Sequence, residues 1–301
     1  MEQNSELLAA HHARWAAFDP LLADSRALPG PEAADEVLTC PGGMALVRNV
    51  QTDPDSWGHT FFATHESKLV PRVDDPRAFA ELLDLWAAQD AFRPGPDSIV
   101  SVNWPSRDTA MARALVERGF QPQAVFAVRL AGQRLPEGAD TGVVIRRAEP
   151  SDTKTMTRLW TEQLHWDAQF GYVAIRPATA AGMAQEIAQA VAGRKKRAWI
   201  AERDGEAVGQ IVVQPPEHAE WAARSIRVGP AAYLNCGAVA AGHRGSGVGS
   251  TLVRHVHAEL DAEGIAAILL HYVAVNPLSG PFWSRCGYRP LFTNWTRGTV
   301  G

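Results

Sequence analysis

The feature that most constrains this chain is a glycine-rich turn between an apolar strand pattern and a helix pattern. The strand pattern covers 231–239, and the helix pattern begins at about Val248. Three glycines alternate with other residues over Gly245–Gly249, so that backbone N–H groups can point in one direction and a ligand can approach closely. Unsatisfied N–H groups and a partial positive charge at a helix N-terminus bind phosphate. The turn therefore predicts a phosphate site, to which Arg244 adds a fixed cation.

The spacing of the glycines excludes two common phosphate motifs. No Lys-Ser/Thr pair follows them, as a Walker motif requires. The third glycine is also misplaced for a dinucleotide fingerprint. Taken alone, the glycines fit a plain connection between two elements better than a binding site, so the surrounding sequence has to decide.

Composition limits the class of protein. The 301 residues are 46% apolar and 21% charged, which is enough for one or two domains with a buried core. A net charge of −4 gives no cationic surface for nucleic acid or an anionic membrane. Three cysteines without CxxC spacing argue against a disulfide framework and a cysteine-rich zinc site. With no signal-peptide or membrane-span pattern, we expect a cytoplasmic monomer or homodimer that needs no metal.

The second half of the chain alternates strand and helix patterns. Asp204-Gly205 between two apolar runs predicts a hairpin, and Gly264 predicts the end of a helix. In chain order, the predicted elements are a strand over 143–148, helices over 152–165 and 179–192, the hairpin over 198–214, a strand over 231–239, a helix over 248–263, a strand over 267–275, a short helix over 279–285 and a last strand.

The chain divides near its middle. Residues Ala131–Gly142 are turn and linker types with almost no large apolar side chains. Each half then ends in the same way, with a strand, a short helix and a Gly-aromatic-x-Pro turn, at Gly119–Pro122 and at Gly287–Pro290. We therefore predict a diverged duplication with domains 1–135 and 143–301.

Several spaced features of the second half resemble the GNAT superfamily of acyl-CoA-dependent N-acyltransferases. Arg244–Gly249 is similar to the family signature Arg/Gln-x-x-Gly-x-Gly/Ala, and Val239 matches the apolar strand end before it. Asn276 and residues 282–288 resemble the family segment Asn…Tyr-x-x-x-Gly-Phe. The order of elements over 143–297 also agrees. The resemblance implies an α/β (α+β) fold of two GNAT-like domains, each a mixed, mostly antiparallel sheet flanked by helices, with the catalytic domain second.

The same resemblance implies acetyl-CoA as co-substrate and direct attack by an acceptor amine. In that fold two neighbouring strands separate, and the backbone of Gly237–Val239 would pair with the pantetheine amides. The pyrophosphate would lie on the amides of Arg244–Ser250, and Asn276 would approach the pantetheine arm. The expected contact residues are Gly237, Ala238, Val239, Arg244, Gly245, Ser246, Gly247, Val248, Gly249, Ser250, Asn276 and Trp283.

Three residues are candidates for moving protons. His271 is the first choice, because it lies five residues before Asn276, where some family members carry a base, and because imidazole titrates near neutrality. Tyr233 and Asn235 precede Val239 by six and four residues, which predicts one shared strand face, and they could hold a relaying water. A structural role stays open for each: a histidine bonded to backbone, or side chains paired across the sheet.

The chain departs from the family at two places. Trp283 stands where the family has the tyrosine that protonates the leaving thiolate, and an indole is a donor but not a practical acid. A thiolate can leave unprotonated, so activity does not require that tyrosine. Residues 65–76, where the first half should have its glycine turn, contain no glycine. We therefore expect no acyl-CoA in the first half.

Two further segments have open roles. Residues 165–167 follow the first helix of the second half, in the region that covers the acceptor in the family, and they either touch substrate or line a core. Cys236 adjoins the predicted site, but strand alternation places it opposite Asn235, which favours a small core residue.

Two classes of function remain open from the sequence. The first is an N-acetyltransferase that modifies a primary amine, with one active half. The second is a non-catalytic acyl-CoA-binding or scaffold protein, which the missing tyrosine and the degenerate first half would suit. Tandem copies also resemble mycothiol synthase, so an amino-sugar conjugate is one acceptor to consider. The intact glycine turn and His271 favour the enzyme, whereas the acceptor itself cannot be read from the sequence.

Overall fold

The computed structural model describes residues 2–24, 35–89, 95–133, 135, 141–193 and 195–298. Part of the predicted linker, residues 134 and 136–140, lies outside the described residues. So do residue 1 and residues 299–301, at the outer ends of the two predicted domains. In the described ranges, no helix is both long enough and apolar enough to cross a membrane.

Eleven strands and eight α-helices make up the described structure. The strands are β1 (Glu36–Cys40), β2 (Gly43–Gln51), β3 (His65–Val73), β4 (Ser98–Pro105), β5 (Gln121–Leu130), β6 (Val144–Arg147), β7 (Arg197–Arg203), β8 (Glu206–Gln214), β9 (Ala231–Val239), β10 (Ala267–Val273) and β11 (Arg289–Gly298). The helices are α1 (Glu2–Phe18), α2 (Pro76–Ala87), α3 (Thr109–Glu117), α4 (Thr153–Ala168), α5 (Thr179–Val191), α6 (Glu220–Ala223), α7 (Val248–Ala262) and α8 (Ser279–Arg285).

The strands form one sheet in the order β1-β2-β3-β4-β11-β5-β10-β9-β8-β7-β6. The last strands of the two halves are exchanged: β5 pairs with β10, β11 pairs with β4, and β5 and β11 pair with each other. Only β3–β4 and β9–β10 are parallel pairs. The expected mixed, mostly antiparallel sheet flanked by helices is therefore confirmed. The boundary between 135 and 143 stays a prediction, since each half completes its sheet with a strand of the other.

Amphipathic helices cover both faces of this sheet. In α2, Phe79, Leu82 and Trp86 recur at helical spacing and are fully buried against β2–β4. Truncating such a core aromatic to alanine typically costs ~3–5 kcal/mol of folding stability. Helix α7 packs in the same way on the second half, with buried positions at Val248, Leu252, Val253, Val256, His257 and Leu260. The two helices therefore hold the equivalent strand–turn–helix units of the two halves.

The first half's counterpart of the glycine turn occupies only the end of the predicted segment 65–76. Residues 65–73 form β3, a strand that pairs in parallel with β4. The reason is their period-two pattern, which buries Ser67, Leu69 and Pro71 on one face. The turn that leads into α2 is instead Asp74-Asp75. It also lacks glycine.

Candidate active site

The site begins where β9 and β10 separate. Their parallel pairing ends at Leu234 and Leu270, although β9 continues to Val239 and β10 to Val273. Beyond that point, the edge of β9 that faces β10 has no strand partner. A cavity of about 440 Å³ opens there, within the size range of small-molecule sites.

A β-bulge in β9 directs side chains into this cavity. The register between β8 and β9 shifts at Asn235, which lies between the residues paired with β8. Leu234 packs toward α7, whereas Cys236 packs toward α4 and α5. The expected unbroken alternation is therefore wrong, because the bulge puts Tyr233 and Val239 on opposite faces of the sheet. Cys236 is buried in the core.

Asn235 itself is a polar group without a protein partner. Its side chain lines the cavity, and its Oδ1 is buried with no hydrogen bond from any described residue. A buried, unsatisfied amide oxygen costs free energy unless a water or a ligand bonds to it. Asn235 therefore offers the cavity an acceptor for one more hydrogen-bond donor.

The glycine turn closes one end of the cavity. Gly245 has φ +78° and Gly247 φ +85°, a left-handed conformation that glycine adopts without strain. Gly247 also has no room for a side chain, since a Cβ would lie 2.8 Å from Thr141 Cγ2. As the N-cap of α7 it supplies no capping side chain, so the first N–H groups of the helix are left for a ligand. The turn fits the pyrophosphate of acetyl-CoA.

Arg244 is held at the same end by two contacts. Its Nε donates to the Val239 carbonyl oxygen at 3.1 Å, and its guanidinium carbon lies 5.4 Å from the centroid of the Trp166 ring. Because the Val239 carbonyl oxygen accepts this bond, it is not available to a ligand. The Val239 N–H and the N–H groups of the glycine turn are the hydrogen-bond donors at this end of the cavity. The cation is fixed beside the turn.

Twelve of the fifteen residues predicted from the sequence line this one cavity. They are Asn235, Gly237, Ala238, Val239, Arg244, Gly245, Gly247, Gly249, Ser250, His271, Asn276 and Trp283. The other three are outside it. Ser246 is exposed, with its Oγ donating to the His243 carbonyl oxygen at 2.7 Å, and Val248 is buried on the core-facing side of α7. Tyr233 packs against Trp221 behind the cavity, with 4.7 Å between ring centroids.

His271 and Tyr233 form a hydrogen-bonded pair. Tyr233 Oη lies 2.9 Å from His271 Nδ1, so this nitrogen bonds to a phenol and not to a backbone group, as the structural alternative had it. The imidazole of His271 is accessible from the cavity, but the protein surrounds it on its other sides. Desolvation, followed by the charge of Lys68, lowers the pKa of His271 to about 4. Burial raises the pKa of Tyr233. At pH 7 both groups are neutral.

A second polar cluster in the cavity joins the predicted contact residue Asn276 to side chains of α4. Asn276 Nδ2 donates to Asp167 Oδ1 at 2.9 Å, and Gln163 Nε2 donates to the other carboxylate oxygen. Trp166 Nε1 donates to Asn276 Oδ1 at 3.3 Å. Desolvation raises the pKa of Asp167 to about 6, although these donors and the charge of Arg244 oppose the shift. The sequence analysis singled out Asn276 and the acceptor-region segment 165–167, but not the contact between them or the part played by Gln163.

The cavity also contains a phenol that the sequence analysis did not single out. Tyr272 follows His271 on β10, and its ring contacts the first turn of α8 beside Gly280. Trp283 is buried against β9, where a Cβ on Gly237 would lie 3.2 Å from its ring. Among the described side chains, no group of three or more His, Cys, Asp or Glu is arranged to hold a metal ion.

Comparison with known proteins gives one family and one fold. Residues 151–288 match the family described as "Acetyltransferase (GNAT) family". A GCN5-related N-acetyltransferase from Sphaerobacter thermophilus superposes with a TM-score of 0.59 at 14% identity, over 97% of this chain and 90% of that one. At this identity the likeness shows the fold.

Two more distant structures have lower TM-scores. A tandem GNAT protein from the clavulanic acid biosynthesis pathway gives 0.44 at 14% identity, over 86% of this chain and 79% of that one. An aminoglycoside N-acetyltransferase in complex with CoA gives 0.41 at 14% identity, over 52% and 93%. No curated protein sequence matches the chain.

Proposed function

Residues 151–288 belong to the GNAT acetyltransferase family, and from this premise we propose that the protein transfers an acetyl group from acetyl-CoA to a primary amine by direct attack. The observation that carries the proposal is the cavity between β9 and β10, which ends at the uncapped N-terminus of α7. Bound acetyl-CoA would supply an activated acetyl thioester. Side chains and backbone groups of this chain would bind and orient the two substrates and move the protons.

The binding part of the proposal rests on backbone geometry. The N–H groups of the turn and of the first turn of α7 would hold the pyrophosphate, because no side chain caps them. The open edge of β9 over Gly237–Val239 would pair with the amides of the pantetheine, as an added strand does. Arg244 would add charge at the turn. Trp283 would form an apolar wall.

His271 is proposed as the group that takes the proton from the amine. For its Nε2 to accept a proton, Nδ1 must carry a hydrogen and donate it to Tyr233 Oη. Tyr233 is therefore a positioning residue that fixes the ring and its tautomer. The amine nitrogen displaces sulfur from the acetyl carbon, the electron pair of the broken bond stays on sulfur, and the proton goes to His271.

The low pKa of His271 restricts when it can act. An alkylammonium has a pKa of ~10, far above the pKa of about 4 to which desolvation lowers that of His271, so direct proton transfer from the ammonium to His271 is strongly uphill. The amine must therefore lose its first proton before it attacks. Once bonded to the acetyl carbon, the nitrogen is far more acidic, and His271 then accepts the second proton.

Asp167 and Tyr272 are proposed for two supporting tasks. The Asp167 carboxylate holds Asn276 by accepting a hydrogen bond from Asn276 Nδ2. Because the pKa of Asp167 is raised, Asp167 is the competing base in the same cavity. The Tyr272 phenol is the proposed proton donor to the leaving thiolate, because Trp283 cannot supply a proton.

The competing function is a non-catalytic acyl-CoA-binding protein, and Trp283 in the tyrosine position is the observation that favours it. A free-thiol release assay separates the two functions. Acetyl-CoA is incubated with the protein and a panel of amines, amino acids, peptides and aminoglycosides, while calorimetry measures acetyl-CoA binding. The enzyme releases thiol with at least one amine. Binding without release from any amine would support the scaffold and overturn the transferase.

A further inference from the structure

A second cavity, of about 430 Å³, lies on the other side of His271. Its floor is one face of β3, β4, β11, β5 and β10, so it crosses the exchanged strands and joins the two halves. Trp15 of α1 and Trp221 of α6 stand over this floor, and the ring planes of Trp221 and His271 are 6° from parallel. It is as large as the first cavity and built by both halves.

His271 lines both cavities. Its ring lies 4.6 Å from that of Phe126 in the floor of the second cavity, while its neighbours in β10, Tyr272 and Val273, line the first. A ligand in the second cavity would therefore reach the proposed base from the face opposite the proposed acetyl-CoA site. Such an arrangement is what a two-substrate transfer requires.

The charge of the second cavity is positive. Lys68 and Arg72 enter it from the same face of β3, and the lining residues that the structure describes include no Asp or Glu. Lys68 has no hydrogen-bond or ion-pair partner in the described ranges. Arg72 is 7% exposed and donates through Nη1 to the Pro71 carbonyl oxygen at 2.9 Å. The half-buried Lys68, beside the buried Arg72, favours an anion in this cavity.

The floor also presents unused polar atoms. Asn294 Nδ2 donates to Asn103 Oδ1 at 2.8 Å, which leaves Asn294 Oδ1 and Asn103 Nδ2 for a ligand. The remaining floor is aromatic, with Phe126 and Phe292 paired across β5 and β11. A ligand suited to this cavity has an apolar body, one or two polar groups and a negative charge.

We propose that the second cavity binds the acceptor, and that the acceptor is a primary amine whose apolar body carries an anionic group, either a carboxylate or a phosphate. The anionic group would bind Lys68, the body would lie between Trp15 and Trp221, and the amine would point to His271. This assignment rests on the proposed acetyl transfer. It adds which amines are accepted and which half recognises them.

The bound anion also has a consequence for His271. The charge of Lys68 is one of the two causes that lower the pKa of His271, the other and larger being desolvation. An anion beside Lys68 offsets that charge, so His271 becomes a better base when the acceptor is present. A neutral amine gains neither the contact nor this effect. Recognition and catalysis thus depend on the same lysine.

The test compares matched amines on matched variants. The probes are L-phenylalanine against L-phenylalaninamide and 2-phenylethylamine for the carboxylate, and 2-aminoethyl phosphate against ethanolamine for the phosphate. The variants are Lys68→Met and Lys68→Arg, with Lys154→Met as control, since exposed Lys154 lies on α4 and lines neither cavity. Thiol release gives kcat/KM for each pair.

The wild-type protein should prefer the anionic member of at least one pair by about 10–100-fold, the ratio expected for one charge-assisted hydrogen bond. Lys68→Met should reduce that ratio to near one, whereas Lys68→Arg and Lys154→Met should keep it. Which pair shows the preference distinguishes a carboxylate from a phosphate. Equal rates for anionic and neutral members, or a preference that survives Lys68→Met, would overturn the assignment.

A binding measurement separates this inference from the proposed function. If acetyl-CoA fails to bind, the transferase proposal has failed. If acetyl-CoA binds but no probe is acetylated, the CoA-loaded protein is titrated with the same probes while the total tryptophan fluorescence, to which Trp15 and Trp221 contribute, is followed. Quenching by an anionic probe that is lost in Lys68→Met supports the cavity. Absence of quenching by every anionic probe contradicts it.

Discussion

The two halves of the sheet each contain a gap between parallel strands, and only one gap is open. In the first half, pairing of β3 with β4 ends at Leu69 and Val102, although the strands continue to Val73 and Pro105. In the second half, β9 and β10 separate in the same way. The difference is what lies against the free strand edge. In the first half helix α1 lies there, and in the second a cavity does.

Side chains of α1 take the place of a ligand in the first gap. The Val73 N–H donates to His11 Nδ1 at 3.2 Å, and the Trp15 ring lies 5.6 Å from that of Trp104. Burial lowers the pKa of His11 to about 3, which keeps the imidazole neutral and able to accept this bond. The backbone groups that an extended ligand would use are thus occupied by protein.

The N-terminus of the helix that follows each gap also differs between the halves: it is capped in the first half and uncapped in the second. Before α2, the Asp75 carboxylate accepts hydrogen bonds from the N–H groups of Arg77 at 2.7 Å and Ala78 at 2.8 Å. Before α7, Gly247 leaves the corresponding groups uncapped. A carboxylate at this position would repel a phosphate as well as occupy its donors. One capping residue and one packed helix therefore distinguish the closed gap from the open gap that we propose binds CoA.

The largest effect is expected from giving α7 the cap of α2. Gly247→Asp should abolish acetyl-CoA binding, because the carboxylate takes the N–H groups and repels the pyrophosphate. Gly247→Asn is the matched control, since it has the same shape and the same contact with Thr141 but no charge. Calorimetry should find weakened binding for Asn and none for Asp. Equal affinities in the two variants would show that charge at the helix N-terminus is unimportant.

The next effect concerns the residue that gives the open gap its chemistry. Asn103 lies at the same spacing before Gly119 as His271 lies before Gly287, so the first half has an untitratable amide at the position of the base. His271→Asn should lower kcat by ~10²–10⁴-fold and keep the affinity for acetyl-CoA. Tyr233→Phe, which removes only the bond to Nδ1, should fall between wild type and His271→Asn. Turnover of His271→Asn within about threefold of wild type would make His271 structural.

A smaller effect distinguishes the two groups that could act as base. If His271 alone must be deprotonated, kcat rises with pH through about 4; if Asp167 must be ionised, it rises through about 6. Asp167→Asn should leave the limb near 4 in place under the account given above. If kcat of wild type instead rises with pH through about 6, and this rise is absent in Asp167→Asn, Asp167 is the base.

Stability provides a check on the same carboxyl group. Burial raises the folded-state pKa of Asp167 above its ordinary value of 3.8, so its stabilising contribution is present at low pH and is lost as pH rises from about 4 to about 6. The free energy of unfolding in urea is measured for wild type and Asp167→Asn at pH 4 and at pH 7. Between pH 4 and pH 7 it should fall more in wild type than in Asp167→Asn. An equal loss in both proteins would mean that the carboxyl group is not perturbed.

The smallest effect is expected from removing the side chain of α1 that occupies the first gap, which tests whether that gap can then bind acetyl-CoA. His11→Ala removes the acceptor of the Val73 N–H and should lower the free energy of unfolding by ~1–3 kcal/mol. It should not add an acetyl-CoA site, because Asp75 still caps α2. Thermal unfolding and calorimetry on the same sample measure both. A gain of binding would show that α1 alone closes the first gap.

The glycine turn could be predicted from local sequence because its determinants are local, and a strand and a helix flank it as expected. The separation of the two strands was an implication of the family resemblance, and the left-handed conformation of Gly245 and Gly247 is a finding of the structure. The bulge at Asn235 could not be predicted, since it is a mismatch between β8 and β9 and leaves no mark on either strand alone. The bond between Tyr233 and His271 depends on the register of two distant strands.

The strand exchange and the polar cluster were hidden from the sequence for a related reason. β5 is almost wholly buried and β11 is partly buried, and neither burial pattern specifies which half provides the neighbouring strand. The contact between Asp167 and Asn276 joins residues more than a hundred positions apart, and nothing in either neighbourhood signals it. Long-range pairing decided both features.

The measurement that tests the central claim most directly is the stoichiometry of acetyl-CoA binding by calorimetry. One open gap per chain predicts one equivalent, which Gly247→Asp removes entirely. Two equivalents per chain would contradict the account. So would a single equivalent that survives Gly247→Asp and is lost on changes confined to residues 65–76, because the first gap would then be the site.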